Sequence, residues 1–478
     1  MSSRSCDSER VLFYAFLGLL VWLPLPWGSN RPWSWSLMEI CTALLTLGVL
    51  ALFVAGRLKP SAAFRAAWPV LVCLALVCLW IRLQAVALPP AVLANLSPGA
   101  SGINGVGPGP GSISLERFAT RVDLGLTLAY LQLFGLTLLL VTSRERVKAL
   151  LAVLVLGGVF QAAYGTFLTL SGFQFDYVLL KEVNTGAATG TYINRNHLAG
   201  YLEMTLALGI GMMVGTLQEN NRRASSWRQA LRRGLRLLLS EKVRLRVYLT
   251  VMVIGLVMTR SRMGNSAFFI SLTLAVVYWV IASGRLSRGT LLLFASLLVV
   301  DIWVVGNFFG IHRVVERLEA TSLASEQRDE VAFDTLAAIA DYPLTGTGAG
   351  SFYAIFPLYQ RGEVEPYYDH AHNDYAEFAV ELGLPATALL GVAAAASLWA
   401  ALAATRRRRD RLLRGLGLGA SMGMVSLLIH SVVDFNLQIP ANAALFVVLM
   451  ALGWVSLHLG RGHPARSPAP AREAAALV

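Results

Sequence analysis

Residues 384–409 read LPATALLGVAAAASLWAALAATRRRR, a run without a charged residue through Thr405, closed by four consecutive arginines. About 20 largely apolar residues suffice to cross a bilayer as a helix. Lys and Arg gathered at one end mark the cytoplasmic side, where anionic lipid holds them. This stretch therefore predicts a transmembrane helix together with its direction.

The same reading predicts eleven more spans, at about 11–27, 37–56, 68–88, 122–141, 149–171, 198–217, 245–259, 266–283, 290–306, 413–433 and 440–458. Gly and Pro inside several of them are tolerable, because neighbouring helices re-satisfy the freed backbone groups. Composition agrees: 56% of the chain is hydrophobic and only 14% charged, against about 25% charged in soluble proteins. The N-terminal run Val11–Leu25 follows Arg4 and Arg10 like a signal peptide, but it ends in Leu-Pro-Leu-Pro-Trp with no small-residue cleavage site. It reads as a retained first helix. The four cysteines, Cys6, Cys41, Cys73 and Cys78, have neither a disulfide framework nor zinc-site spacing.

With the N-terminus inside, the cytoplasmic segments carry 28 Lys and Arg against 11 outside. Both termini then face the cytoplasm, and the net charge of +12 is explained by topology rather than by nucleic-acid binding. The basic stretch Arg222–Arg246 and the run Arg406–Arg409 read as anchors on the lipid surface. The chain divides into nine spans over 1–306, an outside loop at 307–383, three spans over 384–460 and a cytoplasmic tail at 461–478. A loop at about 89–121, rich in Pro, Gly and Ser, reads as flexible. The loop at 307–383 is the longest and most acidic, with twelve carboxylates from Glu316 to Glu377, and loops of that length are usually functional.

The densest polar cluster is Tyr368-Asp369-His370-Ala371-His372-Asn373-Asp374-Tyr375. Asn373 and Asp374 suit the start of a short helix with Glu377 in its first turn, ended by Gly383 and Pro385. Two imidazoles are thereby placed at the outer membrane surface, where a neutral His beside a carboxylate is a good general base. A capping and packing role is the plainer reading, and no third ligand of metal-site spacing is present.

Arg260 and Arg262, in Thr-Arg-Ser-Arg-Met-Gly at 259–264, lie outside against the positive-inside bias. Their guanidinium forks match phosphate oxygens, although snorkelling at a helix end also explains them. Arg328 falls on a predicted helix over Glu326–Ala340, on one face with Val331, Thr335 and Ile339. Arg82, near the outer end of the third span, either joins the same site or snorkels. Asn194-Arg195-Asn196-His197 opens the sixth span, whose free N–H groups make Arg195 part of an anion pocket, unless the segment only caps the helix. Thr-Gly-Thr-Gly-Ala-Gly at 345–350 looks like a nucleotide loop, but no strand precedes it and it lies outside. It reads as a tight loop. Asp434 and Asn436 either line the site or cap a turn.

Taken together, Asn194–Tyr201, Ser261–Gly264, Arg328 with Pro343–Gly348, His370–Tyr375 with Glu381–Pro385, and Val433–Pro440 resemble the O-antigen ligase and Wzy-type O-antigen polymerase superfamily, over roughly residues 190–445. The resemblance implies an all-α, GT-C-like polytopic membrane protein of the bacterial inner membrane, with a large helical periplasmic loop between spans nine and ten. It implies metal-independent, inverting transfer of an undecaprenyl-diphosphate-linked glycan to an acceptor hydroxyl at the periplasmic face, with no cofactor. The acceptor would be another lipid-linked glycan, a lipid core or a protein, in O-antigen, lipopolysaccharide or exopolysaccharide synthesis. Arg262 and Arg328 match the arginines that hold the donor diphosphate, joined by Arg195, and His372 matches the general base. His370, Asn373, Asp374, Arg260, Asn196 and His197 are supporting residues, and Met263 stands where Gly is frequent. The chemistry is coherent: arginines neutralise the leaving diphosphate, an imidazole activates a weak hydroxyl nucleophile, and the diphosphate bond supplies the energy.

Two rivals come from other classes. A twelve-helix secondary transporter fits the long basic loop between spans six and seven, but no internal repeat is present. A non-catalytic partner of a polysaccharide export complex fits the membrane body without using the polar clusters.

Overall fold

The computed structural model describes residues 2–104, 110–172, 175–176, 179–180, 186–216, 241–283, 295, 322–361 and 368–460. Among the described residues it is helical apart from turns and a two-residue hairpin pairing Phe175–Asp176 with Leu179–Leu180. The long helices are α1 (Ser2–Trp22), α2 (Pro32–Val54), α3 (Trp68–Gln84), α4 (Arg117–Leu140), α5 (Arg144–Ser171), α6 (Arg195–Thr216), α7 (Glu241–Met258) and α8 (Arg262–Ser283). After the undescribed segment come α9 (Ser322–Asp341), the short α10 (Asp374–Leu382), α11 (Leu384–Arg407), α12 (Arg411–His430) and α13 (Pro440–His458). Among the described residues, eight helices are long and apolar enough to cross a membrane: α2, α4, α5, α6, α8, α11, α12 and α13. The protein is polytopic. The predicted spans 68–88, 11–27 and 245–259 overlap α3, α1 and α7, which are not among these eight, and 290–306 lies, except for residue 295, outside the described residues.

Burial sorts these helices into a centre and a rim. The apolar window of α13 is wholly buried, and those of α6 and α12 are 89% and 78% buried, whereas the other five have 28–44%. In lipid, helices gain nothing by hiding apolar surface from one another, so close approach through small residues sets which helices pack at the centre. α6 and α12 meet in that way. A Cβ on Gly211 would fall 2.3 Å from the Gly415 carbonyl oxygen, and one on Gly419 2.7 Å from that of Ala207. The rim helices present leucine, valine and phenylalanine outward, among them Leu44, Leu47, Leu79, Phe160 and Leu274, as a lipid-facing surface requires.

Two expectations are corrected. The first helix begins at Ser2 and stops at Trp22, because Pro24 and Pro26 in the following turn have no N–H to extend it. The loop at 89–121, expected to be flexible, contains helices Pro90–Leu96 and Pro98–Asn104. Leu93, Ala100, Ile113 and Tyr342 form a small core beneath it, and the Asn104 amide donates to the carbonyls of Ser112 and Ser114. Polar composition hid a packed cap; residues 105–109 lie outside the described residues.

α9 and α10 stand at the end of the bundle where α6, α8 and α13 begin and α3 and α12 end. Three positive-φ glycines fold the 345–350 loop, Gly346 (φ 65°), Gly348 (108°) and Gly350 (70°). It docks on the end of α10, with Thr347 N–H donating to Val380 O and Gly348 N–H to Glu381 O. Gln84, the last residue of α3, donates to the Thr345 and Glu381 carbonyls and accepts from Ala349 N–H. The loop is a brace, in keeping with the reading as a tight loop.

Candidate functional site

Asn373 caps α10 by accepting from the N–H groups of Tyr375 (3.0 Å) and Ala376 (3.1 Å), with Asp374 and Glu377 in the first turn at the positive end of the helix dipole. Just before the cap, His372 takes φ 50°, in the left-handed region that few residues other than Gly, Asn, Asp and His occupy. Ala371 anchors the histidine pair from below. It is buried in a core with Val331 and Ala338 of α9, Phe352, Phe356 and Val380. Glu377 holds the pair from the side: Oε1 lies 2.6 Å from His370 Nδ1, and Oε2 accepts Ala371 N–H at 2.9 Å. A carboxylate–imidazole pair thus forms at His370, the histidine expected to be secondary. Burial alone disfavours the imidazolium of His370, but Glu377, with Asp369 and Glu381, outweighs it and raises the group from 6.5 to about 9.

The start of α10 is fastened to the segment between α12 and α13. Asp374 N–H donates to the carbonyls of Ser431 and Asp434, and the Asp374 carboxylate accepts Leu437 N–H at 3.1–3.2 Å. Burial pushes the Asp374 carboxyl well above its ordinary value. The same segment supplies Phe435, whose ring is the hub of an imidazole cluster. His370 stacks on it at 4.3 Å, while His372 (4.9 Å) and His197 (4.6 Å) meet it edge-on. Tyr368 meets the other side of His372 at 5.7 Å.

His197 arrives on the first turn of α6. Asn194 Oδ1 accepts Asn196 N–H at 2.9 Å, so the segment does cap, and Arg195 is the first helical residue. Asn442 on α13 ties this turn down by donating to His197 O and Asn436 Oδ1 and accepting from Tyr192 OH. Gly200 has no room for a side chain, since its Cβ would fall 2.2 Å from Asn436 Oδ1. α8 starts against the same part of α6. Ser261 Oγ accepts Gly264 N–H, and a Cβ on Gly264 would meet Ala199 at 2.7 Å and Glu203 at 3.0 Å. Arg262 is the first residue of α8 and is exposed; Arg260, at φ 54°, lies beside Gly186.

The structure thus brings His370, His372, Asn373, Asp374, Asn196, His197, Asp434 and Asn436 into one cluster and sets the start of α8, with Arg262, on the flank of α6. Arg328 lies one turn before Val331 on α9, whose face of Val331 and Thr335 is buried against α10; the Arg328 side chain is outside the described residues. Arg82 is exposed in the last turn of α3. Among the described residues no three His, Cys, Asp or Glu side chains are grouped to hold a metal ion.

Residues 247–391 match a family model described as O-antigen ligase. That part of the chain is similar to O-antigen ligases. That segment runs from α7 into α11 and contains Arg260, Arg262, Arg328, His370, His372, Asn373 and Asp374. No curated protein matches the chain. Arg195 and His197 on one side of the segment, and Asp434 and Phe435 on the other, lie beyond the matched residues, and packing alone joins them to it.

Sequence reasoning missed Glu203, His430, Phe435 and Asn442. Glu203 and His430 were visible as ionisable residues inside predicted spans, which is itself a functional signal. Phe435 lay inside the Val433–Pro440 segment of the resemblance but nothing singled it out, because its importance lies in what packs on its faces and edges.

Proposed function

We propose that this protein performs a metal-independent, inverting glycosyl transfer from an undecaprenyl-diphosphate-linked glycan to an acceptor hydroxyl, at the periplasmic face of the inner membrane. The observation that carries the reading is the imidazole cluster at the start of α10, next to the arginine-bearing starts of α6 and α8.

Transfer needs a base for the hydroxyl and cations for the departing diphosphate. The two histidines divide naturally. His370, raised to about 9 by Glu377, is an imidazolium at neutral pH and donates rather than accepts. His372 is then the general base: it takes the acceptor proton as the oxygen attacks the anomeric carbon and the bond to the lipid diphosphate breaks. Arg262, Arg328 and Arg195, with Arg260 in support, hold the diphosphate, two of them at helix N-termini that also favour anions. Asn373 and Asp374 fix the helix start that aims His372, and Asn196 and His197 shape the opposite wall.

The glycan profile of a deletion strain tests the reading. Loss of long chains on every carrier identifies a polymerase. Long lipid-linked chains accumulating beside bare acceptor identify a ligase. Unaltered surface and lipid-linked glycans would contradict both.

A further inference from the structure

Beneath the imidazole cluster lies a second set of ionisable groups that the transfer chemistry does not use. Glu203 on α6 and His430 at the end of α12 are both buried, with Glu203 Oε1 2.8 Å from His430 Nδ1. Ser426 donates to the other Glu203 oxygen at 2.7 Å. The far nitrogen of His430 lies 3.5 Å from Asp434 Oδ2, and Asp434 Oδ1 lies 3.9 Å from His197 Nε2. Carboxylate, imidazole, carboxylate and imidazole thus follow one another from the interior of α6 to the Phe435 ring.

Ionisable side chains in a membrane interior are costly, and bundles that retain them use them. Buried polar atoms are normally satisfied. Here His197 Nε2, His430 Nε2 and Asp434 Oδ2 are all buried without a hydrogen-bond partner among the described residues, and both imidazole nitrogens face Asp434. Elsewhere on Asp434 the contacts are firm. Its Oδ1 accepts Phe435 N–H at 2.9 Å, and its carbonyl accepts Asp374 N–H at the start of α10. Burial opposes the Asp434 carboxylate, but His430 and His197 prevail and hold it well below the usual range. A fixed negative charge therefore sits directly under the site imidazoles.

We infer that Glu203 and His430 are positioning residues: clamped between Glu203 and Asp434, His430 holds Asp434 against His197 and the Phe435 loop, and so sets the orientation and protonation of His372 across the ring. The inference rests on the proposed transfer for its kinetic consequence alone. The groups facing Asp434 are Glu203 and His197 from α6, His430 from α12 and Asp374 from α10, while His370 and His372, from the segment before α10, face His197. Removing one negative charge from this set disfavours the imidazolium, so His372 should titrate at lower pH.

The test uses the full chain in nanodiscs, with Glu203→Gln, His430→Gln and the double variant. Labelled-histidine NMR follows the His372 titration, and transfer from a purified lipid-diphosphate-linked glycan gives kcat and donor KM. Glu203→Gln should move the His372 midpoint to lower pH. Each single variant should lower kcat by ~10- to 100-fold, the scale of a misplaced catalytic group, at unchanged KM. The double variant should be no worse than either single, because the residues act as one chain. An unmoved midpoint, or additive losses that follow the amount of folded protein, would overturn the inference. Should the single variants not fold, Ser426→Ala, which removes one hydrogen bond to Glu203 and no charge, should give a smaller kcat-only loss; full kcat there would overturn it. A wild type without transfer activity would refute the proposed function instead, and the NMR titration would still decide the positioning role.

Discussion

At the scale of single residues, His370 and His372 share a tripeptide but not an environment. Glu377 closes on His370, leaving His372 as the imidazole turned into a left-handed backbone between Tyr368 and Phe435. The His370–Glu377 pair has a pH signature. Since the folded value is raised from 6.5 to about 9, the pair stabilises fully below about pH 6.5 and is lost as pH climbs through about 9. Melting temperatures across this window should fall more steeply for the wild type than for His370→Asn; parallel curves would disprove the pair's contribution. Arg262 makes a different prediction. A charge-assisted hydrogen bond contributes roughly 1.5–3 kcal/mol, so Arg262→Ala should reduce transfer about ten- to a hundredfold. Arg262→Lys should do nearly as much harm, because a lysine cannot reproduce a bidentate contact. Unchanged transfer at matched protein level would assign Arg262 to snorkelling.

Among the elements, α10 is the one whose reading was almost complete in advance. The Asn373 cap, the acidic first turn and the Gly383 stop are local signals, and local signals are what a sequence displays. The partners of α10 were not legible. Nothing in Thr345–Gly350 announces that a Cβ on Gly346 would lie 2.2 Å from the Glu381 carbonyl oxygen. Gly346 combines that contact with φ 65°, so Gly346→Ala should destabilise the brace by about 1–3 kcal/mol, from strain and overpacking together. Limited proteolysis should then cut between α9 and α10 in the variant before it cuts the wild type; equal protection would show that the brace yields freely. The 89–121 segment failed for the converse reason, because its Pro and Gly punctuate short helices that hold their own core.

For the whole molecule, hydropathy and charge bias were enough to give a polytopic helical bundle, because a chain in lipid must satisfy its backbone within helices. What they left out was the order of burial. The α6, α12 and α13 sequences are no more apolar than the rim, with mean hydropathies of 1.4, 1.6 and 1.8 against 1.6–2.3, yet they form the centre and carry Glu203, His430 and Asn442. The charge asymmetry predicts that a reporter fused after Gly362 faces the periplasm and one after Arg409 the cytoplasm; both on one side would displace the proposed site from its substrate. The account as a whole turns on His372 as the base. The direct measurement is reconstituted transfer from purified lipid-diphosphate-linked glycan, with and without chelator, for wild type, His370→Ala and His372→Ala. A positioned base contributes about 10²- to 10⁴-fold. His372→Ala should therefore lose detectable transfer with expression and donor binding intact, His370→Ala should keep a substantial part, and chelator should change nothing. An active His372→Ala protein, or a wild type silenced by chelator alone, would contradict the account.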